Sequence, residues 1–517
     1  MRDGELETIR SYHALSSHSE DGYAPGPDRV EWSTQPSPFR RYYDGPALIP
    51  LPSEPEQSSA TYADLFSPGA IGAAEMTLAS IGQLLQLSLG ISGWKTMAGE
   101  KWAVRCNPSS GNLHPVEAYI LLGGVPGLGD GLYHYDVLNH ALELRCAAQL
   151  DQPGLWLGLT SIASRESWKY GSRAFRYCQL DLGHAEAAIG FAAASLGWTA
   201  QRVTCGHDEL ASLLGTDRGD DFSGVEPEEP ELLLQLQGDL PGAPQFPRHV
   251  ALAWCGRPSR CAKADQETWP ELSEIIEATR GQVPPIPSGP NLPVYERTEF
   301  QAPAAQVIRQ RRSARQFTSK TPPGPEMLQK MLSAALPQAG PLDQLAGGLG
   351  LEMLLAVHKI AGMEPGLYAI EQSDGATALR PHLRKELGWS PVSSLTGMEN
   401  LRCLAPGDIR AQIRKLSCSQ AIAAEGAATL VFLGDFDRIW AEGAALYKEL
   451  HREAGKIAHA LYLEASALGL GATGLGCFLD RDIRELALLP GSSLYPLYLF
   501  GFGQAKPDPY LQPAQPA

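Results

Sequence analysis

Arg311, Arg312, Ser313 and Arg315 put three guanidiniums and a hydroxyl within five positions. Guanidinium forks pair with phosphate oxygens two at a time and a serine adds a further hydrogen bond, so the group suits a phosphate. Residues 105–115, RCNPSSGNLHP, form a second candidate. There Pro108, Ser109, Ser110, Gly111 and Asn112 stand just ahead of the apolar run 118–122. Small hydroxyls, an amide and a glycine let a planar polar ligand approach the backbone. The third candidate is LGLGATGLGCF at 468–478, whose glycines 469, 471, 474 and 476 could offer backbone N–H groups. It follows a helical pattern and not a strand, so it is no dinucleotide fingerprint. The fourth, ESWKYGSRAFRY at 166–177, sets Lys169 beside Tyr170, with Arg173 and Arg176 close by. A lysine there can depress the pKa of a neighbouring phenol, and either group relays protons once its pKa nears neutrality.

Taken singly, these segments also describe a solvated basic patch, an ordinary Pro-Ser-Gly-Asn turn, a helix-to-strand loop and an amphipathic helix start with cation–π contacts. Composition narrows the choice. The chain has 517 residues, 44% of them apolar, enough for more than one packed core. Acidic residues outnumber basic ones 58 to 42, for a net −16, which argues against a nucleic-acid surface as the main function. No apolar run reaches the roughly 18 residues that span a bilayer, and the polar start carries no signal core. Nine cysteines without a CxxC pair fit reduced thiols in a cytoplasm better than a disulfide framework or a zinc site. The expectation is therefore a cytoplasmic protein with no metal.

The elements that must position these residues fall into two blocks. Residues 1–60 read as an extended arm, 262–299 as a proline-rich linker opening with a short helix, and 505–517 as a loose tail. The blocks between them, 61–261 and 300–504, share two patterns in the same order. VPGLGDGLY at 125–133 matches IAGMEPGLY at 360–368, and the Ala-rich stretch 183–197 matches 455–469. Identities in the second pair include Gly183 with Gly455 and Gly197 with Gly469, and each stretch ends in Leu-Gly, a helix stop. A duplicated α+β domain follows. Residues 118–122, 430–433 and 495–502 read as strands, and 80–89 and 326–335 as helices.

The combination of PSSxN before a strand, RRSxRxF opening a block and LGLGATGLGCF behind an Ala-rich helix resembles the flavin-dependent nitroreductase superfamily. The first block is more similar to its SagB-type or ThcOx-type branch, the azoline dehydrogenases. The segments alike are the 105–115 loop, GLYHYD at 131–136, RESWKYGSRAFRYCQLDLGH at 165–184, SYHALSSHS at 11–19 and EWSTQPSPFRRYY at 31–43. That family is built on an antiparallel-rich sheet with helices and works as a homodimer, with FMN held between subunits. The resemblance implies two tandem nitroreductase-like domains forming an intrachain pseudo-dimer. PSSGN lies in the first block, and RRSAR and the glycine series lie in the second. Their counterparts, LGWTAQRVTC in the first block and PLDQLAGGLG in the second, lack the motifs. One working flavin pocket and one degenerate pocket are expected.

By the same resemblance, Arg311, Ser313 and Arg315 hold the phosphate, with Arg312 beside them and Lys506 a weaker candidate. Pro108, Ser109, Ser110, Gly111 and Asn112 face the flavin, and the backbone of Leu475, Gly476 and Cys477 lies near its reactive edge. Lys169 and Tyr170 match a catalytic Lys-Tyr pair. The implied activity is FMN-dependent oxidation of a C–C or C–N bond, as in azoline to azole, in a modified peptide or small metabolite. Two alternatives stand beside it: an NAD(P)H-dependent reductase of nitro compounds or quinones, and a non-catalytic flavin-binding or docking subunit of a biosynthetic complex. The partner expected is a small molecule or peptide, with no nucleic acid and no membrane. A further homodimer or a biosynthetic complex is left open.

Overall fold

Two seven-strand paths with the same internal order organise the chain. In the first half, β-strands run over Ile91–Met97 (β1), Glu100–Arg105 (β2), Val116–Gly123 (β3), Gly131–Asp136 (β4), Ala141–Leu150 (β5), Gly154–Ser161 (β6), Thr199–Arg202 (β7), Glu229–Gln237 (β8) and His249–Trp254 (β9). In the second half they run over Glu352–Val357 (β10), Gly366–Ile370 (β11), Leu401–Pro406 (β12), Ala428–Asp435 (β13), Gly471–Leu475 (β14) and Leu494–Gly503 (β15), with Leu511–Pro513 (β16) in the tail. The first sheet has the order β9-β5-β4-β3-β6-β8-β7. The second runs β12-β11-β10-β13-β15-β14, with the short strand Ser390–Pro391 outside β12. Strand for strand, β5-β4-β3-β6-β8-β7 repeats as β12-β11-β10-β13-β15-β14. The pairings between these strands are all antiparallel. This computed structural model describes residues 2–53, 60–67, 69–97, 99–238, 242–281, 301–318, 322–335, 340–342, 345, 350–371, 379–392 and 398–514.

The strands expected at 118–122, 430–433 and 495–502 lie in β3, β13 and β15. Their central positions are buried on both faces, which is why they read as unbroken apolar runs. The helices expected at 80–89 and 326–335 form over Leu78–Ser88 and Pro325–Ser333. The first is capped by Thr77, whose side chain accepts from the Ser80 N–H. The two repeated Ala-rich stretches lie in long buried helices, Ala174–Ala194 and Leu446–Ala467. These pack against each other between the sheets.

Three expectations need correction. The amino-terminal segment is not simply extended, because it opens with a helix over Arg2–Leu15 that buries Ile9 and Tyr12. Two apolar residues three apart suffice to seat it on the body. The tail is not loose at its start: β16 pairs with β1, Leu511 opposite Lys95, and Lys95 bonds Asp508 at 2.9 Å. The tail of the second half is thereby tied to the first. Residues 471–475 are an edge strand and not a loop, because β14 finds a partner in β15. The helix expected at the start of 262–299 forms over Pro270–Ala278. Residues 282–299 and most of 341–350 lie outside the described residues.

Candidate functional site

Arg311 crosses from the second half to the first. Its Nε donates to the Cys106 carbonyl at 2.7 Å and its Nη2 to the Arg105 carbonyl at 2.9 Å, at the root of the PSSGN loop. Its Nη1 is buried with no partner. Burial pushes this guanidinium's pKa down, and no carboxylate is among the groups acting on it. A buried, under-bonded cation of this kind suits an anion. Ser313 shares its side of the fold, since Ser313 Oγ lies 2.9 Å from Tyr462 Oη and Arg311 sits 5.1 Å from the Tyr462 ring. Tyr462 Oη also accepts from the Gly474 N–H at 2.7 Å.

The rest of the cation cluster points elsewhere. Both Nη atoms of Arg312 donate to carbonyls, those of Arg309, Arg311 and Ser92. Arg315 is half exposed, 3.9 Å from Asp508 and over the Tyr510 ring. Lys506 is exposed, and its backbone N–H donates to Gln316.

The PSSGN loop bends through positive φ at Gly111, Asn112 and His114, 59°, 59° and 49°. Ser109 Oγ accepts from the His114 N–H, and Asn112 Nδ2 donates to the Ala103 carbonyl. These bonds hold the turn and use much of the polar capacity that the sequence offered to a ligand. Ser110 donates to Asp181 through both N–H and Oγ. Gly111 is the point of contact with the fourth segment. A Cβ there would come within 2.7 Å of Tyr170 Oη and 3.2 Å of Lys169 Nζ. Tyr170 packs on Tyr177 with centroids 4.3 Å apart, and a Cβ on Gly476 would strike the Tyr177 ring at 2.1 Å. The chain of contact therefore runs from the loop through Lys169, Tyr170 and Tyr177 to the glycine series of the other half.

Residues 308–504 match the sequence profile of the nitroreductase family. The second half of the chain is a nitroreductase-family domain. The trifolitoxin-processing protein TfxB of Rhizobium leguminosarum bv. trifolii is 27% identical over 182 residues, 31% of this chain and 48% of that protein. MJ1384 of Methanocaldococcus jannaschii, assigned as a nitroreductase, is 38% identical over 58 residues, 11% of this chain and 28% of that protein. The chain thus spans about half or less of the length of these relatives. A solved structure from Anabaena variabilis ATCC 29413, also assigned as a nitroreductase, superposes with a TM-score of 0.67 at 20% identity, over 96% of this chain and 99% of its own. That likeness extends the fold over both halves.

The nitroreductase domain and its amino-terminal counterpart are not equivalent around their glycine strands. With Gly183 set on Gly455, Arg202 falls at the position of Gly474. Arg202 donates to Glu186 at 2.5 and 2.6 Å and to Glu449 at 2.6 Å. Arg452 continues the network to Glu449, Gln179 and Glu231. A buried ion network thus stands where the nitroreductase domain has Gly474, whose N–H donates to Tyr462 Oη and against which the Tyr498 phenol packs.

On the nitroreductase side the buried polar atoms are left short of partners. His184 Nε2 meets Tyr498 Oη at 3.2 Å, while His184 Nδ1 and both ring nitrogens of His459 are unpartnered. Burial lowers both histidines, so each is a neutral donor–acceptor ring. Together with Arg311 Nη1 and Ser313, this donor set fits the polar parts of FMN, and Arg311 fits its phosphate.

Burial acts on Lys169 in place of the neighbouring arginines, and the expectation of a depressed Tyr170 phenol is overturned. Arg173 and Arg176 do not act on Lys169. They pair with Asp480 at 2.9 and 2.7 Å and bond the carbonyls of Ser16 and His13. Burial, opposed by Glu166, is what lowers the Lys169 pKa. Nor does Lys169 depress the phenol: burial first, then Glu166, push Tyr170 well above its ordinary value.

Sequence reasoning missed Glu166 and Asp181, although both lie in segment 165–184. Burial raises Asp181 to about 7 against the Ser109 and Ser110 bonds, and raises Glu166 well above the carboxylate range. Both Glu166 oxygens are buried without partners. Only their depth marks them, and depth is invisible in a single sequence. His184 stood one position from a repeat glycine, and that was the one available signal for it.

Proposed function

We propose that this chain is an FMN-dependent oxidoreductase of dehydrogenase type, oxidising a C–C or C–N bond such as that of an azoline ring in a modified peptide or small metabolite. The observation that carries this reading is the seat of Lys169 and Tyr170 on Gly111, in contact through Tyr177 with Gly476 of the nitroreductase domain. Likeness to a trifolitoxin-processing protein supports a peptide substrate. Arg311 and Ser313 would hold the cofactor's phosphate, with His184, His459 and Tyr498 lining its other polar groups. When bound, FMN accepts a hydride, the chemistry that no side chain supplies.

The chain's own residues then move the proton. Lys169, with its pKa lowered by burial, has an increased neutral fraction and takes the proton from the carbon next to the one losing hydride. Tyr170 keeps its proton and donates a hydrogen bond that orients the substrate heteroatom. The Trp32 ring, 5.4 Å from Lys169 Nζ, covers the amine on another side and limits its hydration. Aromaticity of the azole favours the forward direction. Both halves of the site come from one chain, so no second copy is required to complete it.

The test is to incubate the flavin-loaded protein with a thiazoline-containing peptide and an electron acceptor. The expected product is lighter by two hydrogens, and its formation depends on Lys169. Inert azoline, with rapid NAD(P)H-driven reduction of a quinone that survives Lys169→Ala, would overturn the reading in favour of a reductase.

A further inference from the structure

Behind the glycine strand of the nitroreductase domain, three side chains from distant parts of the sequence converge. The ligand atoms of His18, Cys418 and Cys477 all lie within 4.8 Å of one another. His18 comes from the amino-terminal segment, Cys418 from the loop after the helix Arg410–Leu416, and Cys477 directly follows Gly476. The two cysteine segments run side by side. The Leu479 N–H donates to the Leu416 carbonyl at 2.8 Å, and Gln420 Nε2 donates to the Cys477 carbonyl at 3.0 Å. Cys418 has φ 51° and Ser419 φ 61°, a left-handed turn that ordinary residues rarely adopt. Both cysteines are partly exposed, and Tyr23 packs beside His18 at 5.0 Å between ring centroids.

This donor set could be a soft-metal site or a reactive thiol pair, and the histidine decides. The Ala24 N–H donates to His18 Nδ1 at 2.8 Å. A neutral imidazole accepting at Nδ1 carries its proton on Nε2. A metal-binding histidine has the opposite arrangement, with its second nitrogen donating outward. The remaining nitrogen is therefore an N–H donor, and it acts on Cys477.

We propose that Cys477 and Cys418 form a thiol–disulfide exchange site, with Cys477 as nucleophile, Cys418 as resolving thiol and His18 as the hydrogen-bond donor that stabilises the attacking thiolate. The co-reactant is a low-molecular-weight disulfide. Cys477 thiolate attacks one sulfur of the disulfide, a mixed disulfide forms, and the first thiolate leaves. Cys418, losing its proton, then attacks Cys477 Sγ and expels the second thiolate. The protein gains one S–S bond and loses two hydrogens, and the small disulfide is reduced to two thiols.

The electrostatics follow the same division of roles. Cys477 is pushed down by its hydrogen bonds from Cys418 and His18 and by Arg173, while Cys418 is pushed up by sharing its proton with Cys477 and by burial. Arg173 reaches both thiols and Asp480 reaches Cys418, so the surrounding charges are mixed, and the division of roles rests on the His18 donor, which acts on Cys477. The site also abuts the candidate flavin strand, since the Gly476 carbonyl accepts from Arg173 at 3.0 and 3.2 Å.

The test treats the full-length reduced protein with oxidised glutathione and maps the products by peptide mass. Wild type should give a Cys418–Cys477 crosslink lighter by two hydrogens, and Cys418→Ser should trap glutathione on Cys477. At pH 6, iodoacetamide should label Cys477 about tenfold or more faster than Cys205, a partly exposed thiol that burial pushes up to about 11. His18→Gln should slow that labelling while leaving Cys205 unchanged. Labelling of Cys477 no faster than Cys205, glutathione retained on wild type without the crosslink, or one tightly bound zinc that protects both thiols would each overturn the proposal.

Discussion

Gly183 and Gly455 face each other across the two central helices, and each leaves room for the other's backbone. A Cβ on Gly183 would lie 2.0 Å from the Arg452 carbonyl oxygen, and one on Gly455 would lie 2.2 Å from that of Leu180. These are the repeat's matched glycines, so the pseudo-twofold axis of the chain passes between them. Gly455→Ala must force the helices apart, because the obstruction is backbone. A loss of about 1–3 kcal/mol is expected from overpacking of this kind, read by denaturant titration. Gly469→Ala, where nothing lies within 4 Å but φ is 69°, serves as a control for strain without a clash. Unchanged stability in Gly455→Ala would mean the crossing is looser than described.

The difference between the two halves at Arg202 and Gly474 gives the proposed flavin site a predicted stoichiometry. Arg202, paired with Glu186 and Glu449, stands at the position equivalent to Gly474, and PSSGN and RRSAR each occur once in the chain, so one FMN per chain is expected. Flavin absorbance against protein concentration measures this. Two equivalents per chain would refute it.

Arg311 and Arg315 separate structure from cofactor retention. Arg311→Ala leaves the Arg105 and Cys106 carbonyls unpaired, about 1–3 kcal/mol for each buried group, so the flavin-free protein should itself melt lower. Arg315 is half exposed, so Arg315→Ala should leave the melting temperature nearly unchanged. If Arg315 binds phosphate, FMN affinity should fall about ten- to a hundred-fold. Wild-type affinity in Arg315→Ala would leave Arg311 as the phosphate anchor of the pair.

Lys169→Ala and Tyr170→Phe should retain flavin. Loss of a general base should cost about 100- to 10,000-fold in turnover of an azoline. Because Lys169 acts when neutral, wild-type kcat/KM should rise with pH through a midpoint below the ordinary 10.5, and this limb should vanish in Lys169→Ala. Full activity in Lys169→Ala would assign the lysine to packing.

Asp181 makes the fold pH-sensitive in a defined direction. Its pKa rises from 3.8 to about 7 on folding, so between these values the native state holds a proton that the unfolded chain releases. Its contribution is complete below pH 3.8, falls as pH rises towards 7 and is flat above, at about 1.4 kcal/mol per unit. Asp181→Asn keeps the acceptor for Ser110 and removes this slope. Stability of wild type minus variant, measured from pH 4 to 8, should decline with pH. A flat difference would place the Asp181 pKa near its ordinary value.

Local pattern carried much of this protein. The apolar runs of β3, β13 and β15, the Leu-Gly stops of the repeated helices and the paired GLY motifs are short-range features, and each is legible because its own period and end signals cause it. The duplication and the separation of PSSGN from RRSAR were likewise visible, since they are statements about order along the chain. What only the tertiary structure decided was which polar groups meet and which are left alone. Arg312 and Arg315 look equal to Arg311 in sequence, yet Arg311 alone of the three is both buried and left with a free Nη. Arg173 and Arg176 stand beside Lys169 in the chain, but the helix turns them to Asp480. Glu166 owes its chemistry to burial, Asp181 to burial and to Ser110, and the His18–Cys418–Cys477 group to contacts between segments far apart in the chain. Charge state depends on solvent exclusion and on neighbours in space, and neither is a property of residues adjacent in sequence.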